Sequence, residues 1–230
     1  MADPPGGDMD MRILLLLSAL ALPARGPVAT NLATPASARV SVRADSDSVV
    51  MAKIMADMVA AMAEVARRNG YDQAAQPAGW LEAPYLAAAT DRPDVPDYFM
   101  RYGAYAEDLD LHIDSIAASI AKRRIHEGGY DSKTETEMQT AFMHGFGKTR
   151  EKQRVLFTAM RRQATIAIRL HEFLVKVDKR VAVDPKDNKL VFEKPIEHRR
   201  YNELAIAIDA ANEELAQLSG QAQTTASKQP

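Results

Sequence analysis

FMRYGAYAEDLDLHIDSIAASI, Phe99 to Ile120, decides the fold. Phe99, Tyr102, Ala106, Leu109, Ile113, Ile116 and Ile120 recur at alternating steps of three and four, the seam of a helix that packs on other helices. A half-buried strand would alternate every second residue. The spacing predicts a helix over 97–126, closed by Gly128-Gly129.

The same signature recurs on both sides. Upstream, Met51, Ile54, Met55, Met58, Met62 and Val65 mark a helix over 49–68 that stops at Asn69-Gly70. The methionine-rich face of that helix fits core packing, or a soft, adaptable groove. Downstream, a helix is expected from Ser132 to about Arg180, opened by a Ser132/Glu135 capping box. Its seam runs through Leu156, Met160, Ala167, Leu170 and Leu174, with Gln153 and Gln163 as polar interruptions. Gly145 and Gly147 predict a kink or break within it. Val181-Ala182-Val183 and Leu190-Val191-Phe192 flank Asp184-Pro185 and Asn188, which reads as a β-hairpin. Pro195 then opens a last helix with Tyr201, Leu204, Ile208, Ala211, Leu215 and Leu218 in its seam.

The expected fold is therefore all-α: an elongated antiparallel bundle of about four main helices, with a small β-hairpin before the last. The bundle should occupy 49–219 as a single domain, after a flexible lead-in at 39–48 and before a disordered tail at 220–230. Residues 1–38 read as a leader with a signal peptide. Met11-Arg12 precedes the apolar run Ile13 to Leu22, which is too short to span a bilayer and ends at Pro23. Met11 is read as the start, and small-residue cleavage sites follow at Ala19-Leu20-Ala21, Leu22-Pro23-Ala24 and Ala36-Ser37-Ala38. The mature protein is expected to be periplasmic or secreted, with no stable membrane span after cleavage.

Several chemistries fail on residue spacing. Gly147-Lys148-Thr149 ends like a phosphate-binding loop, but the first glycine would fall at Phe142, and a helix rather than a strand precedes it. A di-metal helical bundle needs Glu-x-x-His, whereas Leu109, Arg123, Ala141, Ile168 and Pro195 stand three residues before the five histidines. Asp108 and His112, one turn apart, fit a surface contact better than a metal site. Ser119 and Lys122 match S-x-x-K without its companion motifs. The chain has no cysteine, which removes thiolate sites and disulfides. No catalytic residue, metal ligand or cofactor is assigned.

Two surfaces remain as sites for a partner. Trp80, Leu81, Tyr85 and Leu86 lie in the proline-rich segment 71–97, read as an ordered loop over the bundle with a helical turn near Pro84 to Ala89. Arg154, Arg161, Arg162 and Arg169, flanked by Lys148 and Lys176, form a basic stripe. Net charge is −2, and no aromatics interleave with the stripe, which disfavours nucleic acid. The sequence thus reads as an exported, non-enzymatic bacterial envelope protein that binds another protein or an anionic envelope polymer. A chaperone, a secretion accessory or a toxin-neutralising protein would share these features. A self-assembling structural protein, with homo-oligomers, and an enzyme with an unfamiliar helical site are the alternatives.

Overall fold

The computed structural model describes residues 37–227, with side chains from 47 to 219. The leader and its apolar run Ile13 to Leu22 lie outside the described residues. The chain forms α1 (Ser37–Arg68), α2 (Ala83–Ala87), a 3-10 turn (Ala89–Asp91), α3 (Asp94–Glu127), α4 (Ser132–Val177) and a second 3-10 turn (Asp178–Arg180). A hairpin follows, β1 (Val181–Val183) and β2 (Leu190–Phe192), then α5 (Pro195–Ser227). Four long helices with a hairpin before the last make the fold all-α. Among the described residues no helix is long and apolar enough to cross a membrane.

Three boundaries differ from the sequence reading. The segment 39–48, expected as a flexible lead-in, is helical, because α1 begins at Ser37 and no proline or glycine interrupts the chain between Pro35 and Gly70. α5 continues through Gly220 to Ser227, where a disordered tail was expected, and its last residues include no proline. α4 runs unbroken through Gly145 and Gly147. Phe142 and Phe146, one turn apart, are both buried and stack with ring centroids 6.2 Å apart. Their burial offsets the ~1 kcal/mol that each helical glycine costs.

Contacts divide the chain into two compact units. The first comprises Val65–Asp110 and Arg154–Gln221. The second contains 37–64, Leu111–Gln153 and 222–227 among the described residues.

In the second unit, Ile54, Met58 and Met62 of α1, Ile113, Ala117 and Ile125 of α3, and Phe146 of α4 are buried. Met58 and Met62 are thus core residues, while Met51 and Met55 are half-buried. α1 and α3 run antiparallel, tied by Asp57. Arg124 forks onto both of its carboxylate oxygens at 2.7 and 2.8 Å, and Arg123 donates to one of them at 2.5 Å. The Arg124 hydrogen bonds, opposed by burial and reinforced by Arg123, hold the Asp57 carboxyl at about 2 against an ordinary 3.8. A depressed folded value contributes stability that is fully present above pH 3.8 and is lost as pH falls toward 2. Urea midpoints are therefore expected to fall more steeply across that interval in the wild type than in Asp57→Asn. Parallel curves would show that the fork contributes nothing.

α4 opens on Asp131 rather than on the expected Ser132 box. Asp131 Oδ1 accepts the Lys133 and Thr134 amides at 3.1 and 3.0 Å, the bonds of an N-cap. Glu135 instead faces His126, at 3.0 Å. Further along α4, Arg150 is buried and bonds both Asp114 oxygens at 3.0–3.1 Å.

In the first unit α1 ends in a Schellman cap. Tyr71 N donates to Ala66 O, Gly70 N donates to Arg67 O, and Gly70 takes the left-handed φ of 63° that this turn needs. Tyr71 then sits among Tyr98, Tyr102 and Tyr105 of α3, with ring centroids 5.0–5.8 Å away. α3 and α4 approach closely at Gly103, where an added Cβ would stand 3.3 Å from that of Ala164. α4 and α5 are antiparallel, joined by Gln163 donating to Asn212 at 2.6 Å and Arg162 to Glu214 at 2.9 Å. The hairpin pairs Val181 with Phe192 and Val183 with Leu190. Phe192 packs its ring against Phe173 and Tyr201, which supplies the support its apolar residues require.

Candidate functional site

The two sequence-derived surfaces are both in the first unit. The segment after Tyr71 is ordered, with Ala74 N donating to Tyr71 O and Glu82 N to Gly79 O. Trp80 packs edge-on against Phe99, centroids 4.8 Å apart, and is only 7% exposed. Leu86 is buried as well, so these two side chains face the core, whereas Leu81 is exposed and Tyr85 is half-buried. The four therefore do not share one outward patch. Together with Val95, Leu170, His171 and Leu174, Trp80 and Leu86 line a small apolar pocket of about 10 Å³. That is below the ~300–1,000 Å³ of small-molecule sites.

Tyr85 belongs to a polar clamp that sequence reasoning missed. Its hydroxyl donates to Asp94 Oδ2 at 2.6 Å and accepts from Arg92, whose guanidinium lies 3.5 Å above the ring centroid. Arg92 also bonds both Asp94 oxygens, at 3.2 and 3.1 Å. Burial, then the hydrogen bond to Asp94, pushes the Tyr85 hydroxyl up to about 12, and the Arg92 hydrogen bond holds Asp94 near 2. The hydroxyl is thus protonated at neutral pH and donates to Asp94. His171 Nε2 meets the Arg92 carbonyl at 3.0 Å, and Thr90 donates to Asp178 at 3.0 Å. These bonds fasten the segment to α4 and the turn after it. The signal for them was the charged Arg92-Pro93-Asp94 inside an otherwise apolar, proline-rich stretch.

The basic stripe is partly neutralised. Arg161 reaches Asp110 of α3 at 3.1 Å and Arg162 reaches Glu214 of α5 at 2.9 Å. Arg154 and Arg169 are exposed, and their side chains make no hydrogen bond or ion pair with the described residues; the Lys176 side chain behaves likewise. On the α4 helical wheel Arg154, Arg169 and Lys176 fall within about 60° of one another. In Arg154–Lys176 five cations face a single acidic residue, Glu172.

Of the weaker catalytic candidates, Ser119 and Lys122 are exposed on α3. Asp108 Oδ2 is occupied by Arg68 at 2.6 Å and Asn69 at 2.9 Å. Among the described residues no group of three or more His, Asp or Glu is placed to hold a metal ion. No family model matches the chain, and no curated protein or solved structure is significantly similar to it.

Proposed function

We propose that this is an exported, non-enzymatic protein that binds an anionic macromolecule along the outer face of α4. The observation that carries the reading is the set of open cations, Arg154, Arg169 and Lys176, on one side of a helix whose other arginines, Arg150, Arg161 and Arg162, are held by Asp114, Asp110 and Glu214. Unpaired, aligned charge of one sign steers an opposite surface into contact and fixes where it lands. Export is supported by Arg12 followed by the apolar run Ile13 to Leu22.

The test has two arms. Fractionation with intact-mass measurement should recover a shortened chain outside the cytoplasm, and a full-length cytoplasmic chain would overturn export. Labelled dextran sulfate should bind the wild type with an affinity that falls with salt. The Arg154→Glu/Arg169→Glu variant should bind about tenfold more weakly, a change of ~1.4 kcal/mol, as expected for a few exposed ion pairs. Equal binding by the two proteins would remove this face from the function.

A further inference from the structure

We infer that the partner seated on this face is an acidic amphipathic helix of about three heptads, rather than a polymer without fixed spacing. The inference rests on the preceding reading and adds its chemistry. Arg162, Arg169 and Lys176 recur at intervals of seven, each step about 10.5 Å of helical rise. Arg154 and Arg161 form a second row at the same interval. Between the rows stand Thr158 and Thr165, both exposed and also seven apart. Their hydroxyls are engaged within α4: Thr165 donates to the Arg161 carbonyl at 2.9 Å, and Thr158 accepts from Arg161 at 3.4 Å.

The strip is thus low in the middle, made of short side chains, and bordered by Arg154 on one edge and by Arg169 and Lys176 on the other, with Arg161 and Arg162 held by Asp110 and Glu214. A low seam flanked by charges every seventh residue is the geometry in which one helix receives another. The partner would lay small or aliphatic residues on the threonines and place glutamates against Arg154, Arg169 and Lys176. Glu172, on the line of the threonines, repels a carboxylate there and sets the register. A polyanion with closely and evenly spaced charges would gain nothing from this periodicity.

The experiment uses the full chain and three probes in fluorescence anisotropy. One is a three-heptad peptide with leucine and alanine in its seam and glutamate on its flanks. The second is a peptide of the same composition with the order scrambled, and the third is dextran sulfate. The heptad peptide should bind at least tenfold more tightly than the scrambled one and gain helical circular dichroism on binding. Thr158→Lys/Thr165→Lys should reduce heptad-peptide binding at least tenfold while raising dextran sulfate binding, because it fills the seam but adds positive charge. Both sites are exposed, and matching thermal midpoints would show that the variant folds. Equal binding of the two peptides would overturn the helical partner and leave an anionic one. Binding of neither the peptides nor dextran sulfate would overturn both.

Discussion

Trp80→Ala is expected to destabilise the protein by about 3–5 kcal/mol, the cost of removing a large buried aromatic and leaving a cavity. For a chain of this length that lowers the thermal midpoint by roughly 6–20 °C. The reason is its position. Trp80 is 7% exposed, packs on Phe99, and lines the same pocket as Leu170 and Leu174 of α4. With Leu86, the Trp80 ring is an apolar anchor of a segment that is also attached through the Arg92 carbonyl to His171 and through Thr90 to Asp178. Leu81→Ala, one residue on and exposed, should change stability by no more than about 0.5 kcal/mol. Trp80 is the chain's single tryptophan, so the midpoints of wild type and variant are compared by the loss of helical circular dichroism and not by tryptophan fluorescence. A Trp80→Ala variant that kept the wild-type midpoint would mean that the side chain contributes little to the core and is free to meet a partner.

That pair of residues shows where sequence reasoning stops. Leu81 and Trp80 look alike in a loop rich in proline, and which one turns inward depends on Phe99, Leu170 and Leu174, residues distant in sequence. The arginines of α4 pose the same problem. Arg161 and Arg162 read as members of one stripe with Arg154 and Arg169, yet their neutralising partners, Asp110 and Glu214, lie about fifty residues away on other helices. Elements governed by local chemistry were legible. The hairpin strands fall where the Asp184-Pro185 turn and its apolar flanks placed them, and Asn188 takes the positive φ of 55° that such a turn needs. The α3 seam was legible but drifts. Leu109, Ile113 and Ile120 are buried while Ile116 is only half so, and Ala117, Ala121 and Ile125 take over the buried face. A straight helix turns every 3.6 residues, so a strict three-four repeat slips around it by about 20° per heptad. The glycine break in α4 failed for the opposite reason: a propensity cost of ~1 kcal/mol per residue is small beside the burial of two phenylalanines.

Arg180→Ala is expected to cost about 3 kcal/mol or more, and more than Glu197→Ala. The two residues join the end of α4 to the first turn of α5 through an ion pair of 2.6 Å. Their surroundings differ: the Glu197 side chain is 9% exposed, that of Arg180 33%. Removing Glu197 frees an arginine that can turn to water and still reach the Lys176 carbonyl, which it already meets at 3.1 Å. Removing Arg180 strands a carboxylate in a dry site, where its other oxygen already has no hydrogen-bond partner among the described residues. An uncompensated buried charge costs about 3–5 kcal/mol, whereas exchanging both partners for apolar residues of similar size is often neutral. Arg180→Met/Glu197→Met should therefore lie closer to the wild type than Arg180→Ala does, in urea midpoints taken with equal m-values. If the double variant is instead the least stable of the set, the pair does more than neutralise itself. It would then be the hydrogen bonds of Arg180 that hold the hairpin between the two helices.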